Sequence, residues 1–195
     1  MKKVLLIAFV LICTTINAQE KITIKETFEN NRLKWEEYYE KEFSGTIEDG
    51  YYVLENKKAD TAIYAIANLP IIVEKNFKIT VKLLVPQLND KYYFGIIYNF
   101  KNSNNCSKFK LTEGKFKIID KENGNESLNY QTQIILKSGK NKEVLVEIIK
   151  KGTKITFNVD DMEVYQDVGK IEYSKFGFFV EGKNTIKVDE ITIEQ

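Results

Sequence analysis

The stretch Phe77-Lys78-Ile79-Thr80-Val81-Lys82-Leu83 puts an apolar side chain at every second position, with lysine or threonine between. Period two is the strand spacing, because successive side chains of an extended chain point to opposite faces. One face of this segment is therefore buried and the other wet. The same alternation recurs over residues 21–28, 51–55, 116–119, 143–150, 154–159 and 185–193. Many short strands separated by turn signals predict an all-β, two-sheet antiparallel sandwich.

The turns agree. Glu48-Asp49-Gly50 joins residues 45–47 to 51–54, Lys151-Gly152-Thr153 joins two strongly alternating strands, and Asp160-Asp161 separates 155–159 from 162–165. Gly and Asp tolerate the left-handed backbone that such hairpins need. The polar stretches 101–105 and 121–129, rich in Asn, Ser and Gly, read as rim loops. Residues 30–41 and 69–76 lack strand patterning; the first fits either a helical turn or an irregular crossing. Two segments, Tyr92 to Phe100 and Phe176 to Val180, are apolar or aromatic on both faces, as strands in the middle of a covered sheet are. No repeat or linker supports a second domain.

Upstream of the strands, MKKVLLIAFVLICTTINAQ carries a basic start (Lys2, Lys3), an apolar run from Val4 to Ile12, and a cleavage site of the form Ile16-Asn17-Ala18 before Gln19. This is the grammar of an export leader over residues 1–18, with one domain over residues 19–195 and a periplasmic or extracellular destination. The run is shorter than the roughly 20 residues a spanning helix needs, so no membrane span is expected. Ile12 before Cys13 argues against a lipid anchor. Losing the leader removes two lysines and no acid, which takes the formal charge from +1 to −1 and gives no reason to expect a nucleic-acid partner.

The chain has no histidine. That excludes Ser-His-Asp and Cys-His catalysis, His-ligated metals and imidazole pH switching. Cys106 is the single cysteine beyond the leader, so no internal disulfide can form there.

Three groups of residues together resemble the concanavalin A-like, laminin-G-like jelly-roll superfamily, particularly its exported bacterial single-domain members. The first is Glu26-Thr27-Phe28 with Asn30-Asn31 and Trp35, followed by Ile47-Glu48-Asp49-Gly50-Tyr51-Tyr52. The second is the hairpin from Lys154 to Tyr165, with Asp160-Asp161 where the family usually has Asn-Gly, and the third is Phe176 to Val180 with the strand Ile186 to Ile193. The resemblance implies a jelly roll with one curved sheet, whose concave face binds carbohydrate in many relatives. Relatives also include glycosidases and protein-binding modules, so fold alone does not select the activity.

Glycoside hydrolysis needs two carboxylates, about 5 to 9.5 Å apart according to mechanism. The glucanase relatives carry Glu-x-Asp-x-Glu on one strand. Here Glu190 and Glu194 lack the middle acid, as do Glu143 and Glu147, so these read as solvated strand positions and no catalytic residue is named. Asp160, Asp161 and Glu163, and the group Asp120, Glu122, Asn123 and Asn125, lack calcium-loop spacing and read as turn chemistry, so no metal and no cofactor is expected. Sugar recognition relies on aromatic faces beside polar groups. With 11 Tyr, 12 Phe and one Trp, the candidates for ligand binding are Trp35, Tyr39, Tyr64, Tyr93, Tyr98 and Asn99. The expectation is a non-catalytic glycan-binding domain. A glycoside-hydrolase-like enzyme with an unrecognised carboxylate pair and a cell-envelope protein-interaction module are the alternatives.

Overall fold

The alternating segment that starts at Phe77 forms the long strand β6 (Phe77–Gln87), whose odd-numbered residues Phe77 to Val85 are buried. A computed structural model describes residues 22–87, 91–134, 136 and 140–195. The expected leader, residues 1–18, lies outside the described residues. The other strands are β1 (Thr23–Glu26), β2 (Tyr38–Tyr39), β3 (Phe43–Glu48), β4 (Tyr51–Asn56), β5 (Ala62–Asn68), β7 (Phe94–Asn102), β8 (Asn105–Leu111), β9 (Lys115–Glu122), β10 (Asn125–Gln133), β11 (Lys140–Lys151), β12 (Lys154–Val159), β13 (Met162–Val168), β14 (Lys175–Glu181) and β15 (Asn184–Glu194). Among the described residues there is no helix long and apolar enough to cross a membrane.

The strands form two antiparallel sheets. The nine-stranded sheet has the order β13-β12-β11-β6-β15-β4-β3-β2, with β1 also on β15, and the six-stranded sheet runs β10-β9-β8-β7-β14-β5. Within the larger sheet Val81 pairs with Val146 on one side and Ile191 on the other, so apolar residues line up across strands and share one face. They meet Phe94, Ile96, Phe109, Phe116 and Phe178 of the smaller sheet in one core. This is the all-β sandwich that the alternation predicts. The two doubly apolar segments lie inside the six-stranded sheet, β7 between β8 and β14, and β14 between β7 and β5.

The hairpin turns follow from φ. Asp49-Gly50 and Asp160-Asp161 each hold two successive positive angles, 52° and 78°, and 47° and 66°. That is the turn whose twist matches the strands it joins. Two stretches expected as rim loops are instead hairpins. Residues 121–129 contain the end of β9, a turn at Asn123-Gly124 (φ 50° and 86°) and the start of β10. The edge strand β10 is exposed on both faces through its first five residues, so no apolar alternation marked it. Residues 101–105 likewise hold only a tight turn between β7 and β8, which Asn102 Oδ1 braces by accepting from Asn104 N at 3.0 Å.

Residues 30–41 form the irregular crossing, with β2 as its only strand. The buried Glu26 carboxylate organises it, accepting from Phe28 N at 2.9 Å and Leu33 N at 2.7 Å. Asn31 accepts from Trp35 N through Oδ1 at 2.7 Å and donates through Nδ2 to Trp35 O at 2.9 Å. Bonds to an ionised acceptor are about twice as strong as neutral ones, so Glu26 ties this segment firmly to β1.

Candidate functional site

The face of the six-stranded sheet that points away from the nine-stranded one is not an ordinary polar surface. Strand register brings Tyr64, Phe179, Gly95, Lys110 and Lys117 into one transverse row, and Ile66, Gly177, Ile97, Lys108 and Ile119 into the next. Phe179, Ile97 and Cys106 are buried here, with Ile66, Tyr93 and Phe100 packed around them as a second, smaller apolar cluster. Gly95 is required: a Cβ there would stand 1.9 Å from the Phe109 carbonyl oxygen, and its φ is 152°.

Charged side chains close the middle of this face. Lys108 Nζ lies 2.6 Å from Glu126 and 3.7 Å from Glu181, and Lys110 Nζ lies 2.6 Å from Glu181. Lys110 and Lys117 bracket the Tyr93 ring, at 4.7 and 4.9 Å from its centroid. Burial by itself lowers the Lys108 pKa, but the hydrogen bond and charge of Glu126 outweigh it and the net shift is upward. Glu126 moves the opposite way, since the bond to Lys108 overcomes the upward push of burial. Burial pushes the Cys106 thiol up, which keeps it protonated and inert.

Toward the β5 edge the face opens. Tyr64 is 40% exposed, and its ring lies 6.1 Å from that of Phe100. Phe100 reaches this face through a bulge. Tyr98 points inward, so strict alternation would send Phe100 inward too, but the pairing of β7 with β8 shifts after Tyr98 and Asn99 has φ 52°. One extra residue in the strand moves the next side chain to the other face. Asn99 is held in that conformation by its own amide, which accepts from Glu172 N at 2.8 Å and reaches Lys170 O at 3.4 Å.

Beside Phe100 lies a cleft of about 560 Å³ lined by Arg32, Leu33, Lys34, Ile66, Ala67, Asn68, Pro70, Phe100 and Lys175. Its loop wall, residues 32–34, belongs to the segment that Glu26 and Asn31 fix. Apolar side chains on the sheet side and polar or cationic groups at the rim give it the make-up of a small-molecule site.

The sequence candidates therefore separate. Trp35 is 3% exposed and stacks on Phe178 at 4.8 Å with Tyr52 and Phe28 nearby, so it is a core residue and leaves the candidate set. Tyr98 leaves it for the same reason: it is 7% exposed and packs on Phe157, and burial, followed by the charge of Asp120, raises its hydroxyl pKa. Asn99 spends its amide on residues 170 and 172 and acts as a positioning residue. Tyr39, 81% exposed, sits on the edge strand of the other sheet, apart from the rest. Tyr64 and Tyr93 share the outer face, Tyr93 under the lysines and Tyr64 at the open end. Phe100 and the loop wall were missed. A residue-by-residue reading contains no signal for a bulge at Asn99, though Asn is the type most tolerant of that φ.

Two of the carboxylates considered for hydrolysis, Glu147 and Glu190, serve ion pairs on the larger sheet. Glu147 meets Lys78 at 2.5 Å and accepts from Asn158 Nδ2 at 2.9 Å, and Glu190 meets Lys25 at 2.6 Å. Asp160 uses one oxygen to accept from Leu145 N at 2.9 Å.

Solved structures with this architecture include the carbohydrate-binding module CBM66 from Bacillus subtilis, with a TM-score of 0.58, 15% identity, and coverage of 80% of this chain and 94% of that one. The fold is one that carbohydrate-binding modules use. The metal-free carbohydrate recognition domain of Emp46p superposes with a TM-score of 0.64 at 9% identity, covering 86% of this chain and 93% of the domain. The GH43 protein BlXynB from Bacillus licheniformis matches with a TM-score of 0.60 at 15% identity over 87% of this chain, which spans only 38% of that longer protein. No family model matches the sequence, and no curated protein matches it either.

Proposed function

We propose that this protein is an exported, non-catalytic carbohydrate-binding domain of the laminin-G-like kind, with its glycan site at the open end of the six-stranded sheet. The observation that carries the reading is the exposed Tyr64 ring beside Phe100, next to a cleft large enough for a sugar unit. Aromatic rings offer a flat apolar surface to the C–H face of a pyranose, and Asn68 and the cationic rim supply donors for its hydroxyls. The carbohydrate-binding module and the recognition domain with the same architecture support the ligand class. Residues 1–18 support export, since their charge and apolar pattern is that of a cleaved leader.

The test is retention of the protein on a panel of insoluble polysaccharides, with Tyr64→Ala and Phe100→Ala as variants. Retention should fall about fivefold in each, the size expected for losing one aromatic contact of roughly 1 kcal/mol. Tyr39→Ala should bind like the parent. Retention by no polysaccharide, or retention indifferent to Tyr64 and Phe100, would overturn the proposal.

A further inference from the structure

The cleft beside Phe100 is walled by Arg32, Lys34 and Lys175, and no acidic side chain is among the residues lining it. This is unusual for a chain whose cations and anions nearly balance. Elsewhere several lysines meet carboxylates: Lys25 with Glu190, Lys57 with Glu55, Lys58 with Glu42, Lys78 with Glu147, Lys108 with Glu126 and Lys142 with Asp160. Among the described residues, none of the three cleft cations has a carboxylate partner. Arg32 makes one long contact, 3.5 Å from Nη1 to Lys25 O, and keeps the rest of its planar fork free.

The three charges also come from separate parts of the chain. Arg32 and Lys34 arrive on the loop fixed by Glu26 and Asn31, where Lys34 adopts φ 57° and its N–H donates to Asn31 O at 3.0 Å. Lys175 opens β14 directly opposite Asn68, another lining residue. Like charges lining one cleft repel unless an anion joins them, and the cleft leaves room for one beside Phe100.

We propose that the cleft receives the acidic group of an anionic saccharide, its carboxylate or sulfate bound by Arg32 and Lys175 with Lys34 at the rim, while the sugar ring lies on Phe100 and Tyr64. The inference rests on the glycan-binding reading above and narrows its ligand class. A carboxylate matches the guanidinium in a two-point fork, and a sulfate offers the same oxygens in a tetrahedron.

The experiment is affinity electrophoresis of the protein in gels containing polygalacturonate, a sulfated galactan, a neutral galactan, or polyglutamate as a charge control without sugar. Retardation should be strongest with one of the two acidic polysaccharides, and which one names the anion. It should fall about tenfold in Arg32→Gln/Lys175→Gln, the loss expected for two exposed charge contacts, and weaken with salt. Exposed positions make that variant safe for folding, and an unchanged thermal midpoint checks it. Equal retardation by the neutral galactan with no effect of the double substitution would overturn the acidic-ligand inference and leave the glycan reading intact. Polyglutamate acting as well as the acidic polysaccharides would overturn it by showing a basic patch without sugar recognition. Retardation by none of the four overturns the inference, and the glycan reading falls with it only if the insoluble panel is also negative.

Discussion

Replacing Asn99 tests how the aromatic platform is built. The residue holds φ 52° and bonds residues 170 and 172 through its amide. Asn99→Gly removes the amide but suits the backbone. It should cost about 1 kcal/mol, mostly the 2.8 Å bond to Glu172 N, because the longer contact contributes little. Asn99→Ala removes the same bonds and adds a Cβ in the left-handed region, about 1 kcal/mol more, for a total near 2 kcal/mol. In a domain of this length about 2 kcal/mol corresponds to a fall of roughly 4 to 8 °C in thermal midpoint, and urea denaturation followed by tryptophan fluorescence gives the free energy directly. The comparison of the two variants carries the information. If Asn99→Ala is no less stable than Asn99→Gly, the positive φ is not a constraint, and the account of how Phe100 reaches the outer face fails.

Other outcomes follow from burial and charge. Phe109, fully buried between Phe116 and Phe157, should cost about 3 to 5 kcal/mol on truncation to Ala, whereas Tyr39→Ala should stay within about 0.5 kcal/mol in the same denaturation assay. Tyrosines 38, 52 and 98 have raised hydroxyl pKa values, burial being the main cause in each, with Tyr38 pushed up to about 12. A raised folded-state value gives stability that is complete below about pH 10 and lost as pH rises through the folded value, so tyrosinate absorbance should show these rings titrating late and together with unfolding. Glu126, Glu147 and Glu190 are shifted down because lysine hydrogen bonds and charges outweigh the upward push of burial. Their contribution is present above about pH 4.3 and lost as pH falls through the depressed values, so Glu147→Gln should flatten the acid limb of a midpoint-against-pH curve.

The strands that could be read from sequence are those with one wet and one dry face. β6, β11, β12 and β15 announce themselves by period two because the core lies on one side only. β10 gave no such signal, since an edge strand with water on both faces has no reason to alternate. The aromatic count pointed to a face rich in rings but could not say which rings would face out. Tyr98 and Phe100 are two positions apart and would share a face in any regular strand; one bulge separates them. Trp35 looks like a ligand-stacking residue by type, yet its place is set by Asn31 and by the space between Tyr52 and Phe178. The cationic cleft was hidden for a different reason. Arg32 and Lys175 are far apart in the chain, and only the tether from Glu26 to Leu33 brings the loop beside the start of β14.

The position of β15 has a consequence for how the chain acquires its structure. Among the described strands this one comes last, yet it lies between β6 and β4 and also carries β1, so Thr23 pairs with Glu194. Until residues 184–194 are in place, β13-β12-β11-β6 and β4-β3-β2 have no strand to join them, and β1 has no partner strand among the described residues. Pairings between distant segments form slowly, because closing a long loop costs entropy before any contact repays it. A polypeptide arranged this way completes its larger sheet only after residues 184–194 have joined the strands that precede them.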